Sequence, residues 1–306
     1  MLRYFLRRLI QTVPTLLGIM IVIFFFVRAL PGDPARLYAG EDATAEGVAR
    51  VRERFGLDRS LPEQFLRYVT ELGRGNLGTS FRSRLPVKEV IARHFVATFW
   101  LSISSIVLAI VLGVLVGVAA AANRNSGLDM GITLLAILGI SVPSFFLGIL
   151  LIYIFAVNYR IFPVTGSVSL QGLILPTLTL ASSSLATIAR FARSSLLEVM
   201  GEDFIRTARS KGLAATLVLR KHALKNALIP VITIAGLQFG FLLSGTIIVE
   251  TVFNFPGLGW LLIQSVNARD YPMLQGLMLV FALEFLLINL LVDMLYGFVD
   301  PRIKYD

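Results

Sequence analysis

Charged residues fall so unevenly along the chain that the gaps between them outline its architecture. Charge-free runs extend from Leu9 to Val27, His94 to Asn123, Met130 to Tyr159, Ile161 to Ala189 and Asn226 to Val249. A charge at mid-bilayer costs at least about 2.5–3.5 kcal/mol, and a helix of about 20 residues crosses the hydrocarbon core. Each run therefore predicts a membrane span, the fourth confined to residues from Gly172 onward by the turn chemistry of Pro163-Val164-Thr165-Gly166-Ser167. A sixth runs from Tyr271 to Val292, interrupted by Glu284 alone. The stretch from Thr251 to Ala268 is also charge-free, but Asn254-Phe255-Pro256-Gly257-Leu258-Gly259 breaks it in the middle. It predicts a re-entrant or interfacial loop within 250–270.

Composition agrees with this pattern. Hydrophobic residues make up 56% of the 306 positions and charged residues 15%, with a mean hydropathy of +0.78. Soluble domains carry about 25% charged residues, so the apolar excess must face lipid, and the fold class is an all-α membrane protein. The net charge of +9 is explained by placement. With the N-terminus in the cytoplasm, six crossings put both termini inside, and the first span is a permanent helix. Fourteen Lys and Arg then lie on the cytoplasmic side, while the two short outer loops hold only Arg160 and Arg269. The segment 32–93 is left out of that comparison because long loops translocate whatever their charge. Nucleic acid thus loses its support as a partner, and the lipid bilayer takes its place. With no cysteine, disulfides and thiol chemistry are excluded.

Two segments outside the spans are informative. Residues 32–93 mix helical pattern (46–55 and 62–72) with the turn Gly73-Arg74-Gly75-Asn76-Leu77-Gly78, and read as a small extracytoplasmic domain. With few large apolar groups it would be marginal alone, so it is expected to pack on the outer mouth of the spans. Residues 190–225 form a basic cytoplasmic loop far longer than two antiparallel spans require. A helix over 204–211, stopped by Gly212, and a second over 214–224 suit docking on a partner protein, or a basic helix lying on lipid headgroups.

Motifs for chemistry are missing. The sequence has no Gly-x-x-x-x-Gly-Lys-[Ser/Thr] phosphate loop, no His-Glu-x-x-His and no Gly-x-Ser-x-Gly. Its two histidines, His94 and His222, are assigned to opposite faces, so no metal site and no cofactor are expected on this chain.

Glu202-Asp203-Phe204-Ile205-Arg206-Thr207-Ala208-Arg209-Ser210-Lys211-Gly212, followed by His222-Ala223-Leu224-Lys225-Asn226-Ala227 and Pro230, resembles the coupling loop of permease subunits of bacterial ABC importers. The version is that of the dipeptide, oligopeptide and nickel group, and Thr207-Ala208-Arg209 stands where the general motif begins Glu-Ala-Ala. Leu30-Pro31-Gly32-Asp33-Pro34, Glu250-Thr251-Val252-Phe253, Pro256-Gly257-Leu258-Gly259 and Arg269-Asp270-Tyr271-Pro272 point to the same group. Within it, the short loop between spans three and four is most similar to that of the glutathione importers.

The resemblance implies the type I importer permease fold, with helix 1 in 1–31, the extracytoplasmic domain in 32–93 and a five-helix core in 94–306. It implies a subunit of a bacterial inner-membrane importer of short peptides, with a second permease, two cytoplasmic ATPases holding ATP and Mg, and an external solute-binding protein. ATP-driven motion would pass through 204–222. Phe204, Ile205, Arg206, Thr207, Ala208, Arg209, Lys211 and Leu213 would form the ATPase contact, Phe204, Ile205 and Leu213 carrying most of it, and Gly212 the hinge.

Further residues invite a role in the path or gate. Pro143 in the third span either frees backbone groups to line the path or only kinks the helix. Gly236, Gly240 and Ser244 are spaced four apart, a seam of small residues suited to close helix packing and read as an inter-subunit or pore-lining face. Pro256 and Gly257 fall at a break suited to an outer gate. Glu284 sits 13 residues into the sixth span, about 20 Å along a helix. There it fixes packing, or else binds substrate or relays protons. A self-sufficient proton-coupled transporter using Glu284 is the rival reading.

Overall fold

The computed structural model describes residues 2–29, 32–40 and 42–299; Leu30, Pro31 and the tail 300–306 lie outside them. The described chain is helical: α1 (Leu2–Ala29), α2 (Pro34–Ala39), α3 (Ala45–Phe55), α4 (Leu61–Gly73), α5 (Val87–Ala122), α6 (Gly127–Ser141), α7 (Ser144–Leu151), α8 (Leu170–Val199), α9 (Asp203–Ser210), α10 (Ala215–Leu217), α11 (Leu224–Val252), α12 (Leu258–Asn267) and α13 (Tyr271–Val299). Two π-helical stretches, Ile152–Asn158 and Val218–Ala223, extend α7 and join α10 to α11. Five helices are long and apolar enough to cross a membrane, or six spans if the bent pair α6–α7 is one of them.

That pair bends the third span at Pro143, the kink being one of the two effects expected of that residue. Its halves meet at 105° because Pro143 disfavours helical geometry in the residue before it. Val142 is accordingly extended at φ −78°, ψ 122°.

The chain divides into two compact units. The first comprises 97–256 and 288–299 of the described residues, and is built around α8. Of the most apolar stretch of α8, 61% is buried, against 22–33% in the other four spans. Its buried face consists largely of small residues, among them Ala181, Ser184, Ala186, Ala189 and Ala192. Gly113 and Gly117 of α5 meet this face so closely that a Cβ at Gly113 would fall 2.9 Å from Ile188, and one at Gly117 would clash with the Ala189 carbonyl and lie 2.7 Å from the Ala192 methyl. The expected seam on α11 is looser: a Cβ at Gly240 would sit 3.7 Å from Ile288, an ordinary contact. The side chain of Ser244 lies outside those described.

The second unit, 2–96 and 257–287, contains the predicted segment 32–93. Its helices have local stop signals: Thr44 caps α3 by accepting from Gly47 N at 3.2 Å, Gly56 ends that helix at φ +66°, and Glu63 reaches back to Ser60 N at 3.2 Å. No residue of α3 or α4 is fully buried. The segment instead stacks its aromatic rings onto α1 and α13. Phe65 and Tyr68 pack on Phe24, and Tyr38 and Phe55 on Phe81, which meets Tyr271 edge-on at 6.3 Å.

A buried carboxylate fastens this arrangement. Asp270, 2% exposed, accepts from Ser80 Oγ (2.5 Å), Phe81 N (3.0 Å), Arg82 N (3.2 Å) and Met273 N (3.3 Å). It thereby caps α13 and holds the turn before α5. Asp270→Asn replaces an oxygen by a donor and should cost about 2–4 kcal/mol, seen as a lower unfolding midpoint in detergent. Gly117→Ala should likewise lower the midpoint, whereas Gly240→Ala should leave it unchanged.

Candidate functional site

The predicted helix pair at 204–224 is present but joined differently. α8 continues to Val199 and α10 runs through its π-helical stretch into α11. Only the short α9 and its flanking turns interrupt two long helices, so the segment 190–225 is mostly an extension of spans rather than a loop.

The sequence of α9 sorts its side chains by helical periodicity. Ile205 (0% exposed) and Ala208 (6%) pack with Ala121 of α5, Leu196 of α8, Val218, Ala223 and Ala227, and Leu213 is partly buried against them. Ser195 Oγ donates to the Ala227 carbonyl at 3.0 Å beside this cluster. Ile205, Ala208 and Leu213 are therefore not on the exposed face, which corrects the expectation that Ile205 and Leu213 carry a contact there. The outward face consists of Phe204, 43% exposed, with Arg206, Thr207, Arg209, Ser210 and Lys211. Arg206 pairs with Asp203 at 3.3 Å, an exposed pair worth at most about 1 kcal/mol.

Gly212 ends α9 at φ +74°, its N–H bonded to the Arg209 carbonyl at 2.9 Å and that of Leu213 to Ala208 at 3.4 Å. This is a glycine stop of Schellman type. A Cβ there would meet nothing within 4 Å, so the position needs glycine for its backbone angle and not for space.

Near this cluster in sequence, Arg193 of α8 grips Asp129 in the first turn of α6. Nε and Nη2 donate to the two carboxylate oxygens at 2.6 and 2.8 Å, and Asn125 N adds a third bond at 3.0 Å. The sequence analysis missed this pair. Its members are 64 residues apart and carry no local signal.

The remaining candidates fall on several different elements. Pro143 is exposed at the α6–α7 break, and the Gly148 backbone beyond it approaches Phe253 and Val252 so closely that a Cβ would lie 3.1–3.2 Å away. Gly236 is half-buried in α11, and Glu284 is half-buried in α13. Pro256 is exposed and Gly257 buried at the turn between α11 and α12. The same turn holds the fully buried Phe255, and Asn254 at φ +46°.

A second buried carboxylate emerges from the structure. Glu250, 0% exposed in the last turns of α11, accepts from Thr98 Oγ1 at 2.7 Å. Sequence reading had Glu250 only as part of a motif. Among the described residues no cluster of three or more His, Cys, Asp or Glu is arranged to hold a metal ion.

Comparisons with known proteins bear on this geometry. Residues 109–305 match the family model described as the binding-protein-dependent transport system inner membrane component, and residues 1–102 match the N-terminal model of the same system. The chain is 52% identical over 306 residues to the glutathione transport system permease protein GsiC of Salmonella paratyphi A, with 100% of both chains covered. It is 49% identical over 305 residues to the protein of that name from Escherichia coli K12, again with 100% of both covered. Among solved structures it is similar to the inward-facing MetNI methionine ABC transporter, with a TM-score of 0.60 and 19% identity over 70% of this chain and 97% of that one. A crystal structure of an amino acid ABC transporter with histidines gives 0.54 at 20% identity, covering 69% of this chain and 94% of the other. At these identities the two structures establish the fold alone.

Removing buried methylenes leaves a cavity, so Ile205→Ala should cost about 2–4 kcal/mol. Phe204→Ala, on the exposed face, should stay within about 0.5 kcal/mol. Unfolding midpoints of the two purified variants separate inward-packed from outward-facing residues directly.

Proposed function

We infer the function from membership: the chain belongs to the family of binding-protein-dependent transport system inner membrane components. It is a multi-pass inner-membrane permease subunit of an ATP-driven importer and not an enzyme, and it works in a complex with other permease, ATPase and binding-protein subunits. Beyond that, we propose that its solute is glutathione or a closely related short peptide. Supporting this are relatives named glutathione permeases at about half identity over the full length.

In the proposed assembly this chain pairs with a second, homologous permease over two cytoplasmic ATPases that hold ATP and Mg, and an external binding protein delivers the solute. The chain crosses six times with both termini in the cytoplasm, in keeping with the excess of Lys and Arg on that side.

The observation that carries the mechanism is the double character of α9. Its outer face of Phe204, Arg206, Thr207, Arg209 and Lys211 is free to meet an ATPase, while Ile205 and Ala208 are locked into a core shared with α5, α8 and α11. A displacement of α9 by ATPase closure is thus delivered to three helices through packed side chains and not through a flexible loop. Packed cores shift as blocks instead of deforming continuously, so the spans rock between inward-open and outward-open states around a path near the midplane. Phe204 supplies the main apolar contact, and the basic residues orient it.

Gly212, at positive φ, makes the turn from α9 to α10 and remains the proposed hinge. Pro143, Gly236, Gly240, Pro256, Gly257 and Ser244 remain candidates for the path or its gate. Glu284 is proposed as a packing residue.

The test is uptake of labelled glutathione by proteoliposomes holding the complete complex. Import should require ATP and the partner subunits, and the chain alone should move nothing under a proton gradient. Phe204→Ala should lower uptake several-fold while insertion and thermal stability are kept. A bulky residue at Gly212, strained at positive φ, should let ATP hydrolysis continue while import fails. Glu284→Gln should leave ATP-driven uptake within about twofold of the wild type; gradient-driven uptake lost in that variant would establish the proton-coupled rival instead.

A further inference from the structure

The second unit contains a cavity of about 350 Å³ that none of the roles above employs. Three arginines line it, Arg28, Arg54 and Arg67, against one acid, Glu71, which is already engaged by Arg74 (3.3 Å) and Asn76 (2.7 Å). Arg54 and Arg67 are exposed at the rim, and Arg28 is half-buried.

The surroundings of Arg28 are unusual for a cation. Its Nε and Nη2 both donate to the single Oε1 of Gln64, at 3.1 and 3.0 Å, Nη1 donates to the Phe24 carbonyl at 3.3 Å, and the guanidinium lies 3.4 Å from the centroid of the Phe24 ring. Among the described residues no carboxylate pairs with it. A half-buried guanidinium held only by neutral acceptors has charge left to satisfy.

Beside it, Tyr68 lines the same cavity with its hydroxyl buried and without a hydrogen-bond partner. Burial pushes that hydroxyl up to about 12 against the opposing charge of Arg28, so it stays a neutral donor at any physiological pH. A buried orphan donor beside an uncompensated cation is the signature of a missing acceptor.

The cavity does not end at these polar groups. A second one, of about 160 Å³, shares Arg28, Phe55, Pro272 and Gln275 as walls and is otherwise lined by apolar groups including Val27, Leu57, Phe81 and the ring of Tyr271. The two together have a cationic half and an apolar half. They lie beside the end of the apolar run of α1, at Val27, the end that a span of this length brings to the headgroup region and the edge of the aqueous phase.

We propose that these joined cavities form a binding site for a small organic anion, a phosphate or carboxylate held over Arg28 with an apolar substituent seated against Phe55 and Phe81. Two sources present this chemistry: the headgroup and first acyl carbons of an anionic lipid, or the C-terminal carboxylate of a short peptide with an apolar side chain. The site lies outside α9 and the candidate path residues; its peptide source rests on the transport reading, its lipid source does not.

The experiment is titration calorimetry of the purified full chain in phosphatidylcholine nanodiscs at constant ionic strength. The three probes are dihexanoylphosphatidylglycerol, the dipeptide Leu-Phe and inorganic phosphate. At least one organic anion should bind saturably and more tightly than phosphate, and the tighter of the two identifies the source. Arg28→Gln should weaken that binding about tenfold or more, and Tyr68→Phe about threefold. Should Arg28→Gln misfold, Arg67→Gln at the exposed rim gives a folded variant with a several-fold loss. Tyr68→Phe should not lower the unfolding midpoint of the empty chain, since the hydroxyl has nothing to lose. Absence of saturable binding by the wild type, phosphate binding as tightly as both organic anions, or affinity unchanged in the folded variants would each overturn the proposal.

Discussion

Helices in lipid gain nothing from hiding apolar surface from one another, since acyl chains are as apolar as leucine; close contact between their backbones has to supply the attraction. In this chain that contact is concentrated on α8. Small side chains on its buried face let α5 approach at Gly113 and Gly117 until no room remains for a methyl group, and Arg193 then clamps the start of α6 from the same helix. Polar groups inside the unit are handled in the same spirit. Glu250 is fully buried and hydrogen-bonded across helices to Thr98.

A stiff centre makes the softer places meaningful. The helix sequence departs from regular α geometry at the α6–α7 break and at two π-helical stretches. A π-turn inserts one residue into the ladder and loosens local hydrogen bonding, which is where a long helix can change its bend without unfolding. One of those stretches, Val218–Ala223, contributes Val218 and Ala223 to the cluster that holds Ile205. In the proposed coupling, the core that α9 would push on is thus next to a place where α11 can yield.

The spans were legible in the sequence because the cost of a buried charge is large and leaves gaps that can be counted. The third span shows the limit of that method. Hydropathy sees an apolar run of the right length, while the restriction Pro143 places on Val142 decides that the run turns through 105°. For α9, composition gave the helix and its glycine stop, yet the identity of the buried face depended on where Leu196, Val218 and Ala121 fall in space. Ile205 reads as an exposed anchor until those partners are placed. The Gly113–Gly117 spacing is a small-residue motif of the same kind as Gly236–Gly240–Ser244, yet only the latter was singled out from the sequence. Period alone does not say which helix is opposite. The long-range polar contacts were out of reach for a different reason: Ser80 to Asp270 spans 190 residues and Thr98 to Glu250 spans 152, and neither end has a local pattern that names the other.

The segment following α1 illustrates how a sequence too poor in apolar residues for its own core can still be ordered. α3 and α4 bury no residue completely, so their amphipathic faces contribute too little area to fold alone. What they present instead is aromatic rings: Phe65 and Tyr68 of α4 pack on Phe24 of α1, and Phe55 of α3 packs on Tyr38 and Phe81, the latter meeting Tyr271 at the start of α13. The Asp270 carboxylate then fixes the register of that contact, since its four donors come from the 80–82 turn and the start of α13 together. An arrangement held by ring contacts and one buried carboxylate leaves gaps between its parts, and the arginine-lined cavity is one of them.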